Sequence, residues 1–232
     1  MRTSVHPIEV ESYAILRSRV DLADLPPLTR AVIERVVHTT ADPSWAGELV
    51  CDEPALAAGR AALLAGAPLI TDVRMVAAGI TAHPTAVAEP GSTRAAAGIR
   101  AAVQQHPDGA VWVIGNAPTA LFALVEAAAA GDLLSTPLVV GLPVGFVGAM
   151  ASKADLRASG LPAVTNRGER GGAAAAAAVV NALLYAEEPE KDLYARGGRG
   201  EPAGPGGVGR AGEPTEPASA HESGRPGAVG GR

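Results

Sequence analysis

Two segments of this chain repeat one pattern of apolar and polar positions. Residues 111–122 read VWVIGNAPTALF and residues 137–153 read PLVVGLPVGFVGAMASK. Each opens on four or five apolar, mostly β-branched residues, long enough for a buried strand and too short for a helix. A glycine follows, then a turn with proline or a polar residue, then an apolar helical segment. Asn116 stands where it can cap the first of these helices, and Pro118 falls in its first turn, where a missing N–H costs little. The pattern predicts strand–turn–helix units of a parallel α/β sheet, whose ligands bind beyond the carboxyl ends of the strands.

The same reading extends along the chain. It predicts helices over 7–19, 27–38, 54–65, about 93–105, 117–130, 149–159 and 172–185. Strands are predicted over 68–72, 110–115, 137–141 and 161–165. Their alternation implies a single α/β domain, a mainly parallel central sheet flanked by helices with right-handed crossovers. Strand order is open at this point. From Pro189 the pattern stops: residues 189–232 hold 12 of the 28 glycines and 6 of the 19 prolines. Too little apolar surface exists there to offset the entropy of ordering it. The expectation is a functional domain over 1–188 and a disordered Gly/Pro-rich tail over 189–232.

Composition narrows the class. Apolar residues make up 47 % of the 232 and aromatic residues only 3 %, so the core must rest on aliphatic side chains. A net charge of −5 argues against a nucleic-acid binder, which would carry a basic face. The single cysteine, Cys51, excludes an internal disulfide and reads as a small packing residue. The first residues lack the apolar core of a signal peptide, and no run is long enough to span a bilayer. These features point to a cytoplasmic protein without a membrane partner.

If the sheet is parallel, the residues after its strands share one rim. They are Asp72, Arg74 and Met75; Gly115 and Asn116; Pro143 to Phe146, with Lys153 beyond; and Asn166 to Gly168. Glycines there allow close backbone approach, and the cations suit an anionic ligand. GNAPTA lacks the GxGxxG spacing, and neither a GxxxxGK[ST] loop nor a GxSxG elbow is present. No CxxC, HxxxH or HExxH pattern occurs, so no protein-bound metal is expected.

His38 closes the second predicted helix. An imidazole exchanges protons near neutrality and serves as a general acid or base; equally, a histidine at a helix C-terminus complements the macrodipole. Thr93 and Arg94 open a helix whose first turn is otherwise mostly alanine. An arginine there opposes the dipole, so it is either a bidentate clamp for a carboxylate or an exposed surface cation. Arg17 and Arg35 divide the same way.

The order of motifs HPIEVESYAILR, RVVHTTAD, GAPLITDVRMVAAGI, TRAAAGI, VIGNAPTALF, PLVVGLPVGFVGAMASK and GERGG closely resembles the precorrin-8X methylmutase family. The resemblance runs from about His6 to Leu184, and GNAPTALF and PVGFV are its most specific parts. It implies an isomerase of cobalamin biosynthesis, a homodimer binding its tetrapyrrole near the subunit interface. The reaction moves a methyl group from C-11 to C-12, turning precorrin-8X into hydrogenobyrinate, or cobalt-precorrin-8 into its cobalt counterpart. It implies no methyl donor and no redox cofactor. It also implies His38 as the proton donor, and Arg94 and Lys153 as carboxylate clamps. Ser12, Tyr13 and Arg17 match its substrate-reaching N-terminal segment, and Asp72, Thr93 and Asn116 join them as substrate-binding candidates. Two positions depart from the pattern: Ala151 replaces the usual acidic residue before the SK pair, and Ala173 the usual small hydroxyl after GG.

A different class, a corrinoid carrier that holds a macrocycle without converting it, would have no need of His38. A nucleotide-binding α/β protein would need the glycine fingerprint and acidic ribose partner that are lacking here.

Overall fold

A computed structural model describes residues 7–81, 83–88 and 95–186. Thr93, Arg94 and the expected tail, 189–232, lie outside the described residues.

The first half of the fold comprises α1 (Pro7–Arg19), α2 (Pro27–Thr40), α3 (Trp45–Glu48), β1 (Leu49–Val50), α4 (Glu53–Leu64), β2 (Leu69–Thr71), α5 (Arg74–Gly79) and β3 (Ala86–Val87). The second half comprises α6 (Ala95–Gln105), β4 (Val111–Ile114), α7 (Pro118–Ala130), β5 (Val139–Gly141), α8 (Ala149–Ala158), β6 (Ala163–Asn166) and α9 (Ala173–Tyr185). The strands form one six-stranded sheet in the order β1-β6-β5-β4-β2-β3. Every neighbouring pair is parallel except β1 with β6. The four anticipated strands are therefore the parallel centre. The two additional strands, β1 and β3, are two-residue edges too short to show a period.

Alternation along β4 divides the core in two. Val111 and Val113 pack with α2, α4 and α9 through Val36, Leu56 and Val180, whereas Trp112 and Ile114 pack with α6, α7 and α8 through Ile99, Leu121 and Leu156. Helix α9 lies close because Ala175 to Ala178 are all buried and small. Gly115 is required by the same closeness: a Cβ there would stand 2.6 Å from Val76 Cγ2 and 2.9 Å from Ala176 Cβ.

Helix α2 opens on Pro26 without a local cap. Its first N–H groups go instead to Glu53 of α4, with Leu28 N at 2.9 Å and Thr29 N at 2.7 Å. It runs two residues past the predicted end and stops at Ala41, whose φ of 53° is left-handed. Among the described residues, no helix is long and apolar enough to cross a membrane.

Candidate functional site

Because β2, β4, β5 and β6 are parallel, the segments after them meet along one edge of the sheet. Between the ends of β2 and β4 the Asp72 carboxylate, 3 % exposed, accepts three backbone N–H bonds: Gly115 at 3.0 Å, Asn116 at 2.9 Å and Ala117 at 2.8 Å. Burial pushes the Asp72 carboxyl up, and those three bonds pull it part of the way back. This corrects the reading of Asn116 as the cap of α7. Its side chain makes no cap bond and is exposed, and the anion at this helix start is Asp72 from the neighbouring strand. Asp72 thus shapes the turn from which Asn116 projects.

Lys153 also differs from the expected clamp. It is fully buried, and its Nζ donates to Asn166 Oδ1 at 2.8 Å and to the Arg170 carbonyl at 2.7 Å. Desolvation first, and then the nearby Arg157, lower its amine to about 8. The lysine holds the turn after β6 instead of projecting from the rim as a free cation. Across that turn Gly145 N donates to Glu169 O at 3.1 Å, and Gly172 N donates to Leu142 O at 2.9 Å. A Cβ on Gly171 would collide with the carbonyl oxygens of Leu142 and Pro143, so the loop 143–148 is seated against 169–172. It carries Phe146 at 91 % and Val147 at 88 % exposure, while Met75 and Met150 are exposed after β2 and β5. The rim is therefore apolar as well as polar.

The histidine has its own setting. Ser12 Oγ lies 2.9 Å from His38 Nδ1, and the Tyr13 ring stacks on the imidazole with centroids 4.8 Å apart and planes 8° from parallel. Arg17 and Arg35 lie over the same tyrosine, at 5.6 Å and 5.8 Å from its centroid. Burial raises the Tyr13 phenol above its ordinary range, with Arg35 opposing the shift. Arg17 is fixed by a two-pronged bond to Glu34, Nε to Oε1 at 2.9 Å and Nη2 to Oε2 at 3.1 Å. The structure thus brings Ser12, Tyr13, Arg17 and His38 together where α1 crosses α2.

Glu34 was not anticipated, although its signal was present: an acidic residue, next to Arg35, flanked by the apolar pairs Val32–Ile33 and Val36–Val37, and 2 % exposed here. Arg170 was also unmarked. Cys51 packs against the core, where burial pushes its thiol up to about 12 and so disfavours the thiolate. Of the two departures from the motif pattern, Ala151 is exposed and Ala173 is buried at the start of α9. A cavity of about 170 Å³ lies between β3 and α6, lined by Ile70, Ala88, Ala102 and His106 and by none of the residues above.

The fold is α/β, with a serine–histidine–tyrosine cluster where α1 crosses α2 and a mixed apolar and polar rim at the carboxyl ends of the parallel strands. The precorrin-8X methylmutase family model matches residues 7–186, and the chain belongs to that family. The precorrin-8X methylmutase of Pseudomonas aeruginosa is 41 % identical over 197 residues, covering 77 % of this chain and 94 % of its own. The cobalt-precorrin-8 methylmutase of Methanothermobacter thermautotrophicus is 38 % identical, covering 77 % and 92 %. The crystal structure of precorrin-8X methylmutase from Thermus thermophilus superposes with a TM-score of 0.70 at 32 % identity, covering 76 % and 93 %.

Proposed function

We propose that this protein catalyses the C-11 to C-12 methyl shift of cobalamin biosynthesis, converting precorrin-8X to hydrogenobyrinate or cobalt-precorrin-8 to its cobalt counterpart. The observation that carries the reading is the seating of His38. With Nδ1 engaged by Ser12 and the ring plane set by Tyr13, Nε2 is the nitrogen left to deliver a proton. Protonating the conjugated macrocycle makes it electron-poor, so the methyl group migrates with its bonding pair. The C-11 bond breaks and the C-12 bond forms. Loss of a proton elsewhere on the ring balances the one supplied, so substrate and product are isomers. A positioned acid contributes roughly 10²–10⁴ in rate, and orientation on the rim supplies much of the remainder.

Substrate contacts are assigned to Ser12, Tyr13, Arg17, Asn116, Thr93 and Arg94, with Asp72 and Lys153 acting by shaping the turns beside them. The macrocycle's carboxylate arms call for cations, and its conjugated face calls for apolar surface. A second copy of the chain would cover Phe146 and Val147, which supports a homodimer with the site near its interface. Residues 1–188 carry the function in this reading, in the cytoplasm, with the tail dispensable.

Incubating the purified protein separately with precorrin-8X and cobalt-precorrin-8, and following the visible spectrum, tests the proposal. Conversion of one or both supports it and names the substrate. Tight binding without conversion of either would replace it with the carrier reading.

A further inference from the structure

One side chain joins the histidine end of α2 to the rim. Arg170 donates through Nη1 to Asp42 and through Nε to Glu48 Oε2 at 3.2 Å, and its guanidinium lies 4.7 Å over the Trp45 ring. Trp45 is 3 % exposed, so that platform is part of the core. The Arg170 carbonyl, in turn, accepts from Lys153 Nζ and from Asn166 Nδ2, the latter at 3.0 Å. Asp42 follows His38 by four residues, which span about 14 Å at most. The neighbouring carbonyl, Glu169 O, holds Gly145 of the exposed apolar loop.

We infer that Arg170 is a positioning residue for the proposed reaction: its side chain locks the turn after β6 to the end of α2, so that the proton donor and the rim keep one relative geometry. An isolated surface ion pair contributes little. This arginine differs in using its planar fork on two carboxylates while stacking on a buried indole. Its backbone then transmits that fixation to Lys153, Asn166 and, through Glu169, to residue 145. Misplacement by about 1 Å is enough to cost on the order of 10²-fold in rate. The inference rests on the methyl-shift reading, so its test needs one readout that requires no substrate.

The full chain and its Arg170→Ala, Arg170→Lys and Asp42→Asn variants serve. In Arg170→Ala, kcat should fall roughly 10- to 100-fold while KM moves less than about threefold, and Arg170→Lys should recover part of the loss. Asp42→Asn should lower kcat less, and adding it to Arg170→Ala should cost almost nothing more, because the two share one interaction. Amide exchange at Gly145 and Gly172 should quicken in Arg170→Ala with no substrate present. Wild-type kcat would overturn the positioning role, even with faster exchange, as would a fully additive double variant. Should Arg170→Ala not fold, the lysine and Asp42 variants carry the same comparison. Failure of the wild type to turn over either macrocycle, with exchange still quickened in the variants, would remove the reaction and leave the tie.

Discussion

Ser12 Oγ and His38 Nδ1, 2.9 Å apart, join two helices at the point where proton chemistry is proposed. The bond occupies one ring nitrogen and so decides which one faces outward. Helix α1 has a single buried side chain, Leu16, so this contact, the Tyr13 stack and the Arg17–Glu34 and Arg35–Glu9 pairs are what register α1 on α2.

Ser12→Ala should therefore lower kcat while leaving the protein folded. A hydrogen bond of ordinary strength contributes about 0.5–1.5 kcal/mol, so the loss should be roughly 2- to 12-fold. Steady-state turnover of precorrin-8X at saturation measures it. An unchanged kcat would mean that Ser12 does not orient the imidazole.

Asp72 and Asn116 make a paired test of what caps α7. Asp72→Asn removes a carboxylate oxygen and turns an N–H₂ toward backbone donors, which should cost about 1–3 kcal/mol. The melting temperature should fall by roughly 2–12 °C. Asn116→Ala, exposed and without a cap bond, should change it by less than about 2 °C. The reverse order would restore the local capping that the sequence suggested.

That reversal shows where sequence reading ends. The central strands and the limits of α1 follow from periodicity, since burial of β4 on both faces demands an apolar run. Asn116 was the obvious cap because it is adjacent. Asp72 takes its place because β2 lies beside β4, a strand order that local pattern does not contain. Lys153 is similar: its position in the motif suggested a free cation, and only the return of β6 beside α8 buries it under Asn166 and Arg170. The grouping of Ser12, Tyr13 and His38 came from the family motif alone, because two helices must cross before those residues meet.

Lys153 should leave a mark on stability against pH. Its folded value, about 8, lies below the ordinary 10.5. Between these values the unfolded chain binds more protons than the native one, so this group makes stability rise with pH across that window. Each unit of the shift corresponds to about 1.4 kcal/mol. Lys153→Met should lack that rise, so the gap in unfolding free energy between wild type and variant should shift in favour of wild type from pH 8 to 10. Urea titrations at pH 7, 8, 9 and 10 would show it, and a gap constant across the series would contradict it.

Arg94→Ala should raise the dissociation constant for the corrin product roughly 10- to 100-fold, the loss of a charge-assisted bond of about 1.5–3 kcal/mol. Arg94→Lys should restore only part, because an ammonium cannot bind a carboxylate in two parallel bonds. Absorbance titration measures both. Wild-type affinity in the alanine variant would place Arg94 away from the ligand.

The central claim is that His38 supplies the proton for the methyl shift, and the most direct measurement is single-turnover conversion of precorrin-8X by wild type and His38→Ala, followed by visible absorbance. The account predicts near-normal product binding and a rate at least about 10²-fold lower in the variant. A rate within about threefold of wild type would remove His38 from the mechanism.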